Sequence, residues 1–213
     1  MQLVGCSKAM IEIATKIQSF REHRYTVFLL GESGTGKEKI ARALHTVSAN
    51  KFMAVNCASY VDNTQLLESE LFGYEKGAFT GADRTNQGLF ESVHEGTLLL
   101  DEVHELPVPA QAKLLRVLQE KKVSRVGGIK EIPVDVRVIA AAKPIIHQKK
   151  ESGEFLVDLY NRLYVFPIEI PPLRERKDDI AVLARYFADK YSKELGKEVR
   201  FLDETLERMQ SFY

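Results

Sequence analysis

The run Gly31-Glu32-Ser33-Gly34-Thr35-Gly36-Lys37-Glu38 has the residue types and spacing to hold phosphate. Its glycines let successive backbone N–H groups turn inward around phosphate oxygens, and Lys37 adds a point charge for the β and γ phosphates. An apolar run over residues 25–30 enters it, and a helical segment over residues 40–44 follows, whose positive end faces the anion. Strand, loop and helix in that order make this a P-loop. Glu38 stands where a Ser or Thr usually holds magnesium. A second half is needed, an acid at the tip of a buried strand, and Thr97-Leu98-Leu99-Leu100-Asp101-Glu102 supplies it. Asp101 is placed to hold Mg²⁺, directly or through water, and Glu102 to polarise an attacking water.

These groups need a scaffold. Apolar runs at residues 25–30, 52–56, 97–100, 136–142 and 165–168 are continuous rather than alternating, the pattern of strands covered on both faces. The intervals between them leave room for a crossover each time, which predicts a parallel sheet of βαβ units. Residues 110–120 put Leu114, Val117 and Leu118 on one stripe, an amphipathic helix after the Pro107/Pro109 break. Residues 73–81 are too glycine-rich and irregular for either period. After Pro171-Pro172, Ile180, Leu183, Ala184, Phe187, Tyr191 and Leu195 recur at helical spacing with Gly196 as a stop, and a second helix begins near Asp203. The chain is therefore read as a core over residues 1–171 and a partial helical lid over 172–213, cut short at Tyr213.

Composition narrows the class. The 213 residues carry 30 Lys+Arg against 30 Asp+Glu and are 45% apolar, an ordinary globular balance that argues against disorder and against a basic nucleic-acid module. No apolar run approaches bilayer length and no leader-like segment opens the chain, which reads as cytoplasmic with no membrane partner. Cys6 and Cys57 make no disulfide framework and read as small buried apolar residues. Asp101-Glu102-Val103-His104 also spells a DExH box, so a nucleic-acid motor stays open as an alternative. Such a motor needs a basic or aromatic-rich channel and usually a second RecA-like domain, neither of which is visible. His104 reads as a surface or helix-cap histidine, and His23, His45, His94 and His147 lack metal-ligand spacing.

Residues 70–82 go beyond a general nucleotide-binding pattern. Gly77-Ala78-Phe79-Thr80-Gly81-Ala82 resembles the GAFTGA insertion of the sigma-54-dependent transcriptional activators, the bacterial enhancer-binding branch of the AAA+ ATPases. The resemblance covers essentially the whole chain, through Leu3-Val4-Gly5-Cys6-Ser7, the P-loop, Asn56-Cys57-Ala58, Arg125-Val126-Gly127-Gly128 and Pro171-Pro172-Leu173-Arg174-Glu175-Arg176. It implies an α/β P-loop NTPase (AAA+) with a five-stranded parallel sheet of order 5-1-4-3-2, flanked by helices and followed by the truncated lid. It further implies ATP and Mg²⁺ as ligands and a hexameric or heptameric ring. The partner implied is sigma-54 RNA polymerase, with DNA held only by a domain absent from this chain. A Glu after the P-loop lysine is usual in that family, so Glu38 is no anomaly there.

By the same resemblance Val4 and Gly5 lie near the adenine, and Phe79 and Thr80 touch sigma-54. A glycine-bracketed loop exposing an aromatic at its tip suits a contact device on its own account. Asn56, otherwise a strand-end cap, takes the part of a switch that hydrogen-bonds Glu102. Family members complete a neighbour's site with arginines directly after the position of Phe155 and where Arg162 stands; here Leu156 replaces the first, leaving Arg162. The family's Ala-Ala-Thr-Asn strand end reads Ala140-Ala141-Ala142-Lys143, with Lys143 placed either to neutralise phosphate or to swing into solvent. These two departures leave two readings open, a slow ATPase and a ring subunit that binds ATP as an assembly ligand.

Overall fold

A computed structural model describes residues 3–45 and 51–212. Residues 1 and 2, at the start of the expected core, and Tyr213, at the end of the expected lid, lie outside them. The five apolar runs form one parallel sheet: β1 (Val27–Leu30), β2 (Phe52–Asn56), β3 (Thr97–Asp101), β4 (Arg137–Ala142) and β5 (Phe166–Glu169). Their spatial order, β2-β3-β4-β1-β5, is the expected 5-1-4-3-2 read from the other edge. In register, Leu29 lies between Ala141 and Ile168, and Leu99 between Ala54 and Ile139. The expected strand over residues 25–30 begins only at Val27, and Tyr25 stays exposed against Phe166.

Side chains alternate across a strand, so continuous apolar runs feed two cores. Phe28, Leu30, Leu98, Leu100, Val138 and Ala140 face one side. There α3 (Thr64–Phe72), α4 (Val108–Glu120) and α5 (Val157–Leu163) cover them with Leu67, Leu71, Leu114, Leu118, Leu159 and Leu163. Val27, Leu29, Leu99, Ile139 and Ala141 face the other, against Ile13 and Ile17 of α1 (Lys8–Arg21) and Ile40 and Leu44 of α2 (Lys37–Leu44). Helix α4 starts earlier than residue 110 and takes Pro109 into its first turn, where a missing N–H costs nothing.

One buried charge ties the second layer together. Arg137, at the start of β4, is almost fully buried. Its guanidinium donates to Phe20 O (2.7 Å), Arg21 O (3.2 Å) and Leu44 O (2.8 Å), closing the carbonyl ends of α1 and α2 at once. Arg137→Met leaves those carbonyls without their donor. We expect it to lower stability by about 2–4 kcal/mol, read as a lower urea midpoint with unchanged slope. A loss below about 0.5 kcal/mol would show that water replaces the guanidinium there.

Beyond Pro171-Pro172 a single turn (Leu173–Glu175) leads into α6 (Asp178–Leu195) and α7 (Asp203–Ser211), which pack on each other. Gly196 ends α6 in the left-handed conformation (φ 62°), the role its sequence position suggests. Among the described residues, no helix is long and apolar enough to cross a membrane.

Candidate functional site

Strand β1 runs into Gly31, whose N–H is held by Ala142 O (3.1 Å), and the loop closes with Gly36 as the N-cap of α2. Gly34 (φ 79°) and Gly36 (φ 100°) occupy backbone conformations that side chains resist, which is why the loop needs glycine there. Lys37 is buried, and its Nζ donates to Gly31 O (2.9 Å) and Glu32 O (3.1 Å), so the ammonium sits inside the loop's curve. Thr35 Oγ1 donates to Glu32 O (2.8 Å). Ser33 is exposed, and Glu38 pairs with Arg42 on the outer face of α2 (2.8 Å).

Asp101 closes β3 two strands away, in register with Asn56. Desolvation holds its carboxyl above the ordinary carboxylate range, while the Glu102 N–H at 2.9 Å and the Lys37 charge pull it back. A desolvated hard-oxygen donor across from the P-loop lysine fits a divalent cation, whose charge would offset the cost of burial. Burial, with the Asp101 charge second, pushes the neighbouring Cys57 thiol up to about 12, so it is a neutral filler there. The other cysteine departs from expectation: Cys6 is exposed, because the buried Asp179 takes its N–H (2.6 Å) and leaves the side chain outward.

Glu102 adopts φ 51° and ψ 42°, left-handed for a residue with a Cβ. Strain of that kind persists where surroundings over-determine it and collects at functional positions. Its carboxylate Oε2 lies 3.3 Å from His104 Nε2 and 3.3 Å from Lys143 Nζ. His104 is therefore no surface or cap histidine but a buried ring. Its tendency to hold a proton is lowered by burial and partly restored by Glu102 and Glu105. Lys143 has not swung out into solvent; half-exposed, it is paired with Glu102. Asn56 Oδ1 accepts from the Ala58 N–H (2.9 Å) and caps the turn Cys57–Tyr60. A bond to the Glu102 carboxylate would have to come from its Nδ2, and that bond, implied by resemblance, is not formed.

An apolar cavity opens beside the loop, between Leu3, Val4 and Met10 on one wall and Ile180, Leu183 and Phe187 of α6 on the other, with Gly34, Thr35 and Gly36 at its end. Its shape suits a planar apolar base leading to phosphates. Gly5 is required there because a Cβ would meet Met10 Cγ at 2.8 Å. Asp179, fully buried, accepts from Cys6 N (2.6 Å), Ser7 N (2.8 Å) and Ser7 Oγ (2.9 Å), fastening this wall to α6. Arg176 donates to Thr35 O (3.0 Å), and Arg174 grips Glu32 with two bonds (2.8 and 2.5 Å). Sequence reading gave Asp179 no role, since the run Asp178-Asp179 looks like an ordinary acidic helix start.

The glycine-rich segment is more ordered than its composition suggests. Gly73–Tyr74 pairs antiparallel with Asn86–Gln87, giving the loop a two-stranded base. Gly77 (φ 84°) and Gly81 (φ 95°) bracket a tight turn in which Gly77 N–H donates to Ala82 O (2.8 Å) and Ala82 N–H to Phe79 O (3.0 Å). Thr80 is exposed, Ala78 half-buried and Ala82 buried. Phe79 is not fully exposed: it is half-buried, edge-on to Tyr74 with centroids 5.0 Å apart, because an adjacent ring covers it. Arg125 secures the base, bonding Glu91 twice (2.8 and 2.7 Å) and Glu75 once (3.0 Å).

Arg162 lies apart from all this, exposed on α5 and donating to Leu118 O (3.0 Å). Leu156 is the N-cap of α5, packed against the core. Its N–H donates to the buried Gln111, which also donates to Leu106 O (2.7 Å) and Glu154 O (2.9 Å) and so fixes the approach to α5.

The family model of the sigma-54 interaction domain matches residues 3–169. The Nif-specific regulatory protein of Herbaspirillum seropedicae is 50% identical over 89% of this chain and 35% of its own length. The regulatory protein AtoC of Escherichia coli K12 is 48% identical over 92% of this chain and 43% of its own. The chain thus spans less than half of these relatives. Crystal structures of NtrX from Brucella abortus align over 99% of this chain and 46% of theirs, both at TM-score 0.89. One holds ADP (34% identity) and the other ATP (33%).

Proposed function

This chain belongs to the family of sigma-54 interaction domains, and from that premise we propose that it is an ATP-hydrolysing ring subunit that remodels sigma-54 RNA polymerase through the loop around Phe79. The observation that carries the reading is the facing of the Lys37 cradle and the Asp101–Glu102 pair across the end of one sheet. In this reading Gly31, Glu32, Ser33, Gly34, Thr35, Gly36 and Lys37 hold the phosphates, with Glu38 at the start of α2. Val4 lines the base site, and Gly5 serves it from behind, packed on the Met10 side chain. Asp101 is the residue that would hold Mg²⁺, which supplies charge neutralisation at the phosphates when bound. Glu102 accepts a proton from the attacking water, and the low-dielectric wall behind it keeps that carboxylate from bulk solvent.

The helical segment after residue 171 acts as the lid. Arg174 and Arg176 link it to Glu32 and Thr35, so the base site and the phosphate loop move as one unit. Arg162 serves the neighbouring subunit's site. For Asn56 to act as a switch its Nδ2 must reach the Glu102 carboxylate, a change tied to the phosphates. Gly77, Ala78, Phe79, Thr80, Gly81 and Ala82 form the sigma-54 contact, and DNA is gripped by segments outside this chain.

The test is phosphate release across a protein concentration series, with sigma-54 capture measured beside it. A ring ATPase gives turnover per chain that rises steeply with concentration, because the sites are completed only on assembly. Phe79→Ala is expected to keep that turnover within about twofold and to lose sigma-54 capture, since the ring makes the contact. Turnover no higher than that of Lys37→Ala, both in the wild-type chain and in a Lys143→Met variant, would sink the ATPase reading. Capture unaffected by Phe79→Ala would sink the loop assignment.

A further inference from the structure

The contact between Lys143 and Glu102 is one end of a row of polar groups that runs on through His104 and Glu105 to Lys149. His104 Nε2 lies between two carboxylates, 3.3 Å from Glu102 Oε2 and 3.2 Å from Glu105 Oε1. Glu105 is bound in turn by Lys149 (2.9 Å), whose ammonium also donates to His104 O (3.0 Å). The far half of this row is fixed, because the ring is buried and Lys149 ties both the His104 carbonyl and the Glu105 carboxylate. The near half is not. Lys143 follows the last residue of β4, its side chain is 41% exposed, and its ammonium has a long flexible stem.

The contact is also of an unusual kind. Glu102 Oε2 is buried and has no aligned hydrogen-bond donor, although two nitrogens stand at 3.3 Å. An oxygen held by charge without a directed bond is captured rather than satisfied, and such a hold is released without breaking a well-formed hydrogen bond. A carboxylate that takes a proton from water must present its oxygen to that water at hydrogen-bond distance. While Lys143 faces Oε2, that oxygen is committed elsewhere.

We propose that Lys143 is a positioning residue that restrains Glu102: its ammonium, with the buried His104 ring as the opposing wall, draws the carboxylate away from the attacking water and throttles turnover. The proposal rests on the ATPase reading above and assigns Lys143 to the glutamate rather than to phosphate. It makes the slow rate a property of one removable contact.

The experiment measures kcat for phosphate release at saturating ATP together with equilibrium affinities for ATP and ADP. Lys143→Met, which keeps the stem and removes the charge, raises kcat by roughly 2- to 5-fold, the worth of one partly screened ion pair, with both affinities within about twofold of wild type. Lys143→Arg keeps the low rate. Adding Glu102→Gln to Lys143→Met abolishes the gain, which shows that it runs through the glutamate. A wild-type rate indistinguishable from Lys37→Ala, followed by turnover in Lys143→Met, still supports the restraint. A kcat unchanged or lowered in Lys143→Met, or ATP affinity falling relative to ADP, overturns it and assigns Lys143 to phosphate or to no role. The ATPase reading fails separately, when neither the wild-type chain nor Lys143→Met exceeds Lys37→Ala.

Discussion

Glu102→Gln lowers ATP turnover by about 10²- to 10⁴-fold while nucleotide affinity stays within a small factor of wild type. The expectation comes from what the substitution changes and what it leaves alone. Glutamine has the same length and branching, so the left-handed backbone at this position (φ 51°) is no more strained than before. The bond from the Glu102 N–H to Asp101 Oδ1 at 2.9 Å survives because it uses the backbone of Glu102 and not its side chain. What is lost is the carboxylate just beyond β3 that the ATPase reading gives to the attacking water. Lys37 and the loop glycines are untouched, so the phosphates stay held and KM changes little. The measurement is a kcat and KM pair with a parallel binding titration. A fall of less than about tenfold would mean another group activates the water, and a matching loss of affinity would mean that Glu102 orders the loop instead.

That prediction uses residues legible from sequence alone, and there is a physical reason for the legibility. A phosphate loop is local: its glycines, its lysine and the strand and helix on either side are contiguous, so one stretch of chain carries the whole geometry. The strands were legible because burial on both faces makes each an unbroken apolar run, as β4 with every residue buried illustrates. Their spatial order was not contained in those runs and came from the resemblance.

What sequence reading missed is long-range. Arg137 acts on Phe20 and Leu44, and Asp179 acts on Cys6 and Ser7 across almost the whole chain. Gln111 binds Glu154 and Leu156, and nothing in the neighbourhood of any of these residues announces the partner. His104 was misread for the same reason. An isolated histidine after two acids looks like a strand end meeting solvent, and only the fold buries the ring and brings Lys143 and Lys149 near it. Phe79 was read as exposed because turns lie at surfaces. The cover over it comes from Tyr74, on the short strand whose two residues give no period to detect.

Arg162→Ala is expected to reduce turnover by about 10³-fold, and the loss is expected to be repaired by a second inactive chain. Helix α5 ends at Leu163, and β5 begins beside Val27, where β1 also begins. The P-loop leaves the opposite end of β1, after Leu30. The length of that strand, about 10–13 Å, therefore stands between Arg162 and its own phosphate site. Its guanidinium is further turned to Leu118 O on α4. In the proposed ring, an arginine so placed serves a γ-phosphate on another subunit, and with Leu156 in place of the other expected arginine there is no second guanidinium on this segment to share the work. On that proposal Lys37→Ala fails by losing phosphate and Arg162→Ala by failing its neighbour, which puts the two defects on different chains of one interface. Mixed together, an Arg162→Ala chain with an intact cradle sits beside a Lys37→Ala chain with an intact arginine, and activity returns. Phosphate release from the pair, against each alone, decides it. No recovery from two inactive chains that still assemble would place Arg162 in its own subunit's fold, and full activity of Arg162→Ala alone would remove it from the chemistry.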